Sequence, residues 1–139
     1  MTAAMDFLTQ RTIEQIAVAI ETIAAEELVP RWRMLSADQI RNKGVDDPVT
    51  EADLASEARL RAALRGFSAD ALVLGEEGND NAEVMARMRA GEPAWIIDPL
   101  DGTRPFIRGR PGWGILVAYC IAGRPIAGWM HDPLRGLTA

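Results

Sequence analysis

Thiols and imidazoles are almost missing from this chain: Cys120 is its only cysteine and His131 its only histidine. A single cysteine excludes an internal disulfide and any thiolate zinc cluster. One histidine leaves no material for a His-based metal site or a Ser-His-Asp triad. No stretch reaches the ~18 consecutive apolar residues of a membrane-spanning helix, so no membrane partner is expected. Met1 to Gln10 contain Asp6 and lack the basic and apolar regions of a secretory leader, which makes a cytoplasmic location the expectation. Basic residues are also short, 15 against 20 acidic ones for a net charge of −5. Nucleic acid is therefore not an expected partner. Arg104, Arg108 and Arg110 are a local exception to that acidic balance.

What remains is an ordinary globular composition, 48% hydrophobic and 25% charged. The 139 residues are one domain's length, enough to bury roughly 68–70% of the surface the unfolded chain exposes. The stretch Ala94-Trp95-Ile96-Ile97-Asp98-Pro99-Leu100-Asp101-Gly102-Thr103 organises the rest, because an apolar run ends abruptly on two carboxylates. Residues 94 to 97 predict a short buried strand with Asp98 at its carboxyl end. Pro99 has a fixed φ and pushes Asp98 toward an extended conformation, so the turn can aim Asp98 and Asp101 at one point. With the Leu100 carbonyl between them these are hard oxygen ligands, suited to Mg²⁺, Mn²⁺ or Ca²⁺ and poorly suited to Zn²⁺. Gly102 and Thr103 supply backbone N–H groups and a hydroxyl at the start of a helical turn, where phosphate is favoured.

Along the chain, Ile13, Ile16, Ala17, Ile20, Ile23, Ala24 and Leu28 recur at helical spacing and predict an amphipathic helix from about Thr9 to Val29, ended or kinked by Pro30. Ser36 to Gly44 reads as a short strand or an irregular connection. A second helix is expected from about Glu51 to Arg65, with Thr50 as N-cap and Asp53 completing a capping box. Leu72 to Leu74 predict a strand followed by a loop bearing Glu76 and Glu77. Asn81 to Ala90 predict a third helix. Trp113 to Ile121 and Pro125 to Met130 predict a hairpin through Ala122-Gly123-Arg124. Helices first and an antiparallel hairpin last make the class α+β.

Each acidic cluster has a bland alternative. The capping box fully explains Asp53, although Asp53, Glu57, Leu60 and Leu64 share one helical stripe, which would turn Asp53 inward. Glu76 and Glu77 alone read as a solvated turn. Asp98 and Asp101 are harder to dismiss, since like charges converging after a buried strand repel unless something positive neutralises them. Cys120 reads as a buried small hydrophobe in a strand. His131, beside Asp132-Pro133, reads as a turn residue with a hydrogen-bonded partner and no assigned role.

Lys43 with Asp47-Pro48-Val49-Thr50-Glu51-Ala52-Asp53, Gly75-Glu76-Glu77, Trp95 to Thr103 with Phe106, and Gly128 with Asp132-Pro133 occur here in an order that resembles the inositol monophosphatase family of metal-dependent, lithium-sensitive phosphatases. Residues 1–139 resemble the N-terminal portion of that catalytic domain. The implied fold is two long helices packed on an antiparallel sheet, the first portion of an αβαβα layered sandwich. The later Trp-Asp motif, which carries a further metal-ligand aspartate, is not among these residues. Arg104-Pro105 departs from the usual asparagine before the phenylalanine, a place where the histidinol-phosphatase-like branch varies, which leaves the substrate open.

The resemblance implies a Mg²⁺-dependent phosphomonoesterase acting through metal-activated water on a small phosphorylated polyol, sugar or amino alcohol. It implies two or three Mg²⁺ ions, with Mn²⁺ a substitute, held by Glu76, Asp98, the Leu100 carbonyl and Asp101. It also implies Thr103, Asp53 and Glu77 as catalytic groups and the Gly102 and Thr103 amides as phosphate ligands. The alternative is a catalytically silent metal- or phosphate-binding fragment or interaction module. A half-built sheet leaves strand edges and apolar surface open, and with the family's usual dimer this makes a homodimer or self-association the expectation.

Overall fold

The computed structural model describes residues 4–42, 48–75 and 81–139. The N-terminal helix α1 (Gln10–Ile23) starts at Thr9, whose side chain accepts from the Thr12 amide. It runs on without a break through a wider π turn (Ala24–Leu28) and a closing 3₁₀ turn (Val29–Arg31). Pro30 sits in that last turn, where a missing N–H ends the helix as expected. Ile16, Ile20, Ile23, Ala24 and Leu28 are its buried stripe. Between Ser36 and Gly44 the chain makes a 3₁₀ turn (Ala37–Gln39) and then β1 (Ile40–Asn42), which pairs antiparallel with β2 (Pro48–Thr50) as a separate ribbon.

Helix α2 (Glu51–Phe67) carries the predicted stripe and buries Ala52, Asp53, Ser56, Glu57, Leu60 and Leu64. The main sheet has the order β3 (Leu72–Leu74), β4 (Ala94–Asp101), β5 (Gly114–Ile121), β6 (Arg124–Asp132), β7 (Leu137–Thr138). The class is α+β as read, with one refinement: β3 runs parallel to β4, reached through α3 (Asn81–Arg89), while the remaining pairs are antiparallel. In the β5–β6 hairpin turn Ala122 and Gly123 both have positive φ, 52° and 76°. That is the handedness a two-residue hairpin needs to match the strand twist.

One face of the sheet packs on α1 and α2 through an aromatic cluster. Trp95 is fully buried, with ring centroids 4.8 Å from Tyr119 and 5.9 Å from both Trp129 and Phe7. The Tyr119 hydroxyl and the Trp129 indole N–H donate to the Ala4 and Ile13 carbonyls, tying the N-terminal helix to the sheet. On the other face α3 covers Ala94, Cys120 and Ile96 with Val84 and Met88. Cys120 is thus buried as expected, and burial pushes its thiol pKa up. Beyond α3 that face is open: a cavity of about 460 Å³ and another of about 590 Å³ lie along it, with Met130 62% exposed.

Two local expectations change. Strand β4 does not stop at Asp98 but continues to Asp101, because a bulge absorbs one extra residue: Asp98 pairs with Leu116 and Asp101 with Gly114. Pro99 lies in that bulge, the place in a central strand where a residue without an N–H is tolerated. His131 is not in a turn. It lies in β6, 8% exposed, paired with Thr138 of β7, and its Nδ1 is 2.9 Å from Thr138 Oγ1. Cross-strand pairing with β7 carries the strand through His131 to Asp132, and the turn that the Asp132-Pro133 signal marks follows at residues 133–136.

Candidate active site

Asp53 both caps α2 and turns inward to Thr103. Its Oδ2 accepts from the Thr50 amide at 2.8 Å and the Thr50 hydroxyl at 2.6 Å, while Thr50 Oγ1 accepts from the Ala52 and Asp53 amides, a complete capping box. Its Oδ1 accepts from the Thr103 hydroxyl at 3.1 Å across 50 residues of chain. The residue is 1% exposed, and desolvation raises its pKa against the opposing pull of those hydrogen bonds. A buried acid that keeps its proton longer is also a better proton acceptor once ionised.

The Thr103 hydroxyl faces a second acceptor, the Leu100 carbonyl, also at 3.1 Å. One proton is shared between two acceptors, so the lone pairs of Thr103 Oγ1 remain available to a donor from elsewhere. Thr103 opens the short helix α4 (Thr103–Ile107), and Gly102 is its N-cap with φ 82°. Only glycine fits there: a Cβ on Gly102 would stand 2.3 Å from the Gly112 carbonyl oxygen. The tightness of this turn positions the Gly102 and Thr103 amides.

Ser56, one turn along α2 from Asp53, donates to the Pro99 carbonyl at 2.7 Å and is fully buried. Helix α2 thereby holds the acidic turn at two points, Pro99 and Thr103. Sequence reasoning passed over Ser56, although a polar residue three positions after Asp53 on an otherwise buried stripe was its available signal. Glu57, on the same stripe, is buried against Gly75: a Cβ there would meet Glu57 Oε1 at 2.3 Å. The Gly75 carbonyl accepts from Asn81 Nδ2 at 2.8 Å, so the chain is anchored where the acidic pair begins.

Asp98 and Asp101 line two adjoining cavities that share Leu116, Met130 and Ala139. Glu76 and Glu77, like Lys43 and Asp47, lie outside the described residues. Among the described residues no three His, Cys, Asp or Glu side chains cluster closely enough to hold a metal ion. The donors that are described, two carboxylates and a backbone carbonyl within four residues, are oxygen ligands of the kind that Mg²⁺ or Ca²⁺ takes.

The chain is an α+β domain whose central strand bulges at Pro99 between two aspartates, with a threonine at the head of the next helix tied to a buried aspartate. The chain belongs to the inositol monophosphatase family, whose profile matches residues 9–139. It is 31% identical over 120 residues to the Nus factor SuhB of Haemophilus influenzae, covering 86% of this chain and 43% of that protein. It is 32% identical over 121 residues to inositol monophosphatase 2 of Solanum lycopersicum, covering 87% and 45%. It is 36% identical over 98 residues to the histidinol-phosphatase of Chlorobaculum parvum, covering 70% and 36%. Among solved structures, the Thermotoga maritima IMPase matches at 27% identity with a TM-score of 0.75, covering 94% of this chain and 47% of that one. An IMPase/NADP phosphatase complexed with Mg²⁺ and phosphate matches in fold, at 22% identity and a TM-score of 0.75, covering 93% and 46%. The chain thus spans less than half the length of these relatives.

Proposed function

We propose that the protein is a metal-dependent phosphomonoesterase, acting on a small phosphorylated polyol, sugar or amino alcohol. The observation that carries this reading is the Asp53–Thr103–Leu100 linkage, which joins the capping box to the acidic turn through one hydroxyl. A bland helix cap has no need of Thr103, and a bland surface turn has no need of a buried aspartate. Family membership supports phosphatase chemistry, and the inositol monophosphatase and histidinol-phosphatase relatives support small phosphomonoesters as the substrate class.

In this reading Asp98, Asp101 and the Leu100 carbonyl hold Mg²⁺ together with Glu76. When bound, the ions neutralise phosphate charge and activate water for an in-line displacement. The chain's own groups do the rest. Thr103 Oγ1, with its proton committed to Asp53 and Leu100, accepts a hydrogen bond from the attacking water and so aims it. As the water proton passes to Thr103 Oγ1, the Thr103 hydroxyl proton passes to Asp53 Oδ1, a transfer that burial of Asp53 favours. The Gly102 and Thr103 amides donate to phosphate oxygens as charge develops on them. Glu77 would support the metal ligands or help hold a third ion.

The test is phosphate release from a panel of small phosphomonoesters with and without Mg²⁺, for the protein and its Asp98→Asn variant. Mg²⁺-dependent release that falls at least about a hundredfold in the variant, with an unchanged thermal melt, is expected. Unaltered turnover in Asp98→Asn would remove Asp98 from the mechanism. Mg²⁺ binding by calorimetry with no release from any substrate would favour a silent binding module.

A further inference from the structure

Beyond the acidic turn, three exposed arginines gather at one corner of a protein that is otherwise acidic. Arg33 has φ 67°, a left-handed conformation that a long non-glycine side chain keeps only when its surroundings hold it there. Two contacts do so: its guanidinium lies 4.1 Å from the centroid of the Trp32 ring, and its Nε donates to the Gly109 carbonyl at 3.1 Å. The side chain runs along Gly109, where a Cβ would stand 3.1 Å from Arg33 Cγ. The residues on either side of Gly109 are Arg108 and Arg110, both exposed. Trp32 rests against Trp113 and Trp113 against Phe106, at 5.8 and 4.8 Å, which makes the footing of the corner rigid.

Among the described residues no carboxylate forms an ion pair with this group. Arg31, Arg59, Arg61, Arg87 and Arg135 each have an acidic partner within 4 Å, whereas among the described residues Arg33, Arg108 and Arg110 have none. Neither residues 29–35 nor residues 103–112 contain an Asp or Glu. The corner is also tied to the acidic turn. Gly112, two residues past Arg110, is packed against Gly102. Helix α4, five residues long, spans only about 7.5 Å between Thr103 and Arg108. With two residues of chain reaching at most about 7 Å, the backbone of Arg108 and Arg110 lies on the order of 10 Å from the Gly102–Thr103 turn.

The geometry points to a second anion-binding position: Arg33, Arg108 and Arg110 receive a second phosphate or carboxylate of a substrate whose scissile phosphate lies at Gly102 and Thr103. This rests on the phosphatase reading above. Guanidinium forks favour phosphate and carboxylate oxygens in pairs, and here the stacking on Trp32 and the Gly109 carbonyl orient one fork in advance. A small molecule with two anionic groups fits better than a long polyanion, because the net charge of −5 repels any strand extending past the corner.

A matched pair of probes tests this, n-hexyl phosphate and 1,6-hexanediol bisphosphate, titrated calorimetrically into the protein with Mg²⁺ present. The bisphosphate is expected to bind about tenfold more tightly than the monophosphate. The double variant R108Q/R110Q should lose that preference while its monophosphate affinity and thermal melt stay unchanged. R33Q, which also frees the Gly109 carbonyl, should lose part of it. Monophosphate binding with no bisphosphate preference, or a preference that survives R108Q/R110Q, overturns the second position and leaves the phosphatase reading standing. Failure of both probes to bind overturns both readings. Heparin binding more tightly than the bisphosphate, and lost in R108Q/R110Q, assigns the corner to a macromolecular polyanion and also overturns the proposal.

Discussion

Substituting Asp53 separates its cap function from its link to Thr103. Three donors reach its carboxylate, the Thr50 amide, the Thr50 hydroxyl and the Thr103 hydroxyl. Hydrogen bonds to a charged acceptor contribute about 1.5–3 kcal/mol each, so three at the low end sum to about 4–5 kcal/mol, less what is regained by not desolvating a carboxylate. Asp53→Ala is therefore expected to cost about 3 kcal/mol, or roughly 10 °C in melting temperature for a domain of this size. Asp53→Asn can keep its oxygen on Thr50 while turning its amide toward Thr103, so it should cost only about 1 kcal/mol, and yet lose activity by reversing the Thr103 hydrogen bond. The pH dependence has a defined sign. Burial raises the pKa of Asp53 above its ordinary value of 3.8, so the folded protein holds the proton longer than the unfolded chain. Stability then falls as pH rises from the unfolded value through the folded one. Because asparagine does not titrate, the advantage of the wild type over Asp53→Asn should narrow across that window. Chemical denaturation in chelator from acid to neutral pH measures all three quantities. Equal costs for the alanine and asparagine variants, or an advantage that widens with pH, would refute the reasoning.

Three further substitutions probe the scaffold. Gly102→Ala combines a φ of 82° with a contact of 2.3 Å to the Gly112 carbonyl, so it should lose about 2 kcal/mol or more in denaturant titrations and weaken phosphate binding. Ser56→Ala removes the buried hydrogen bond to the Pro99 carbonyl. It should cost about 1–2 kcal/mol, and its phosphate release should fall with it because the acidic turn loses one of its two tethers to α2. Trp95→Phe should cost less than about 2 kcal/mol against about 3–5 for Trp95→Ala, since the indole N–H of Trp95 is buried without an acceptor among the described residues and its loss is no penalty. Equal melts for the two Trp95 variants would show that the aromatic cluster does not depend on ring volume.

Local order was legible because it is written in local spacing. The apolar steps from Ile13 to Leu28 locate α1, and Thr50 with Asp53 announces the start of α2, since both depend only on neighbours within a turn or two. The acidic turn could be read as a site because Asp98, Pro99, Leu100, Asp101, Gly102 and Thr103 are consecutive. The family followed from the order of such motifs, and the profile match over residues 9–139 agrees. Other features depend on partners far apart in the chain. Whether Asp53 only capped a helix or also turned inward depended on Thr103, which comes to it from 50 residues away and bonds it alongside the cap. The bulge that carries β4 past Asp98 arises from its register with β5, and β6 retains His131 because β7 returns to pair with it. Ser56 had no meaning until the Pro99 carbonyl was placed beside it, and neither did the arginine corner until Arg33 was laid along Gly109. Capping and periodicity are properties of a few adjacent residues, whereas register and convergence are settled by which buried faces pack together.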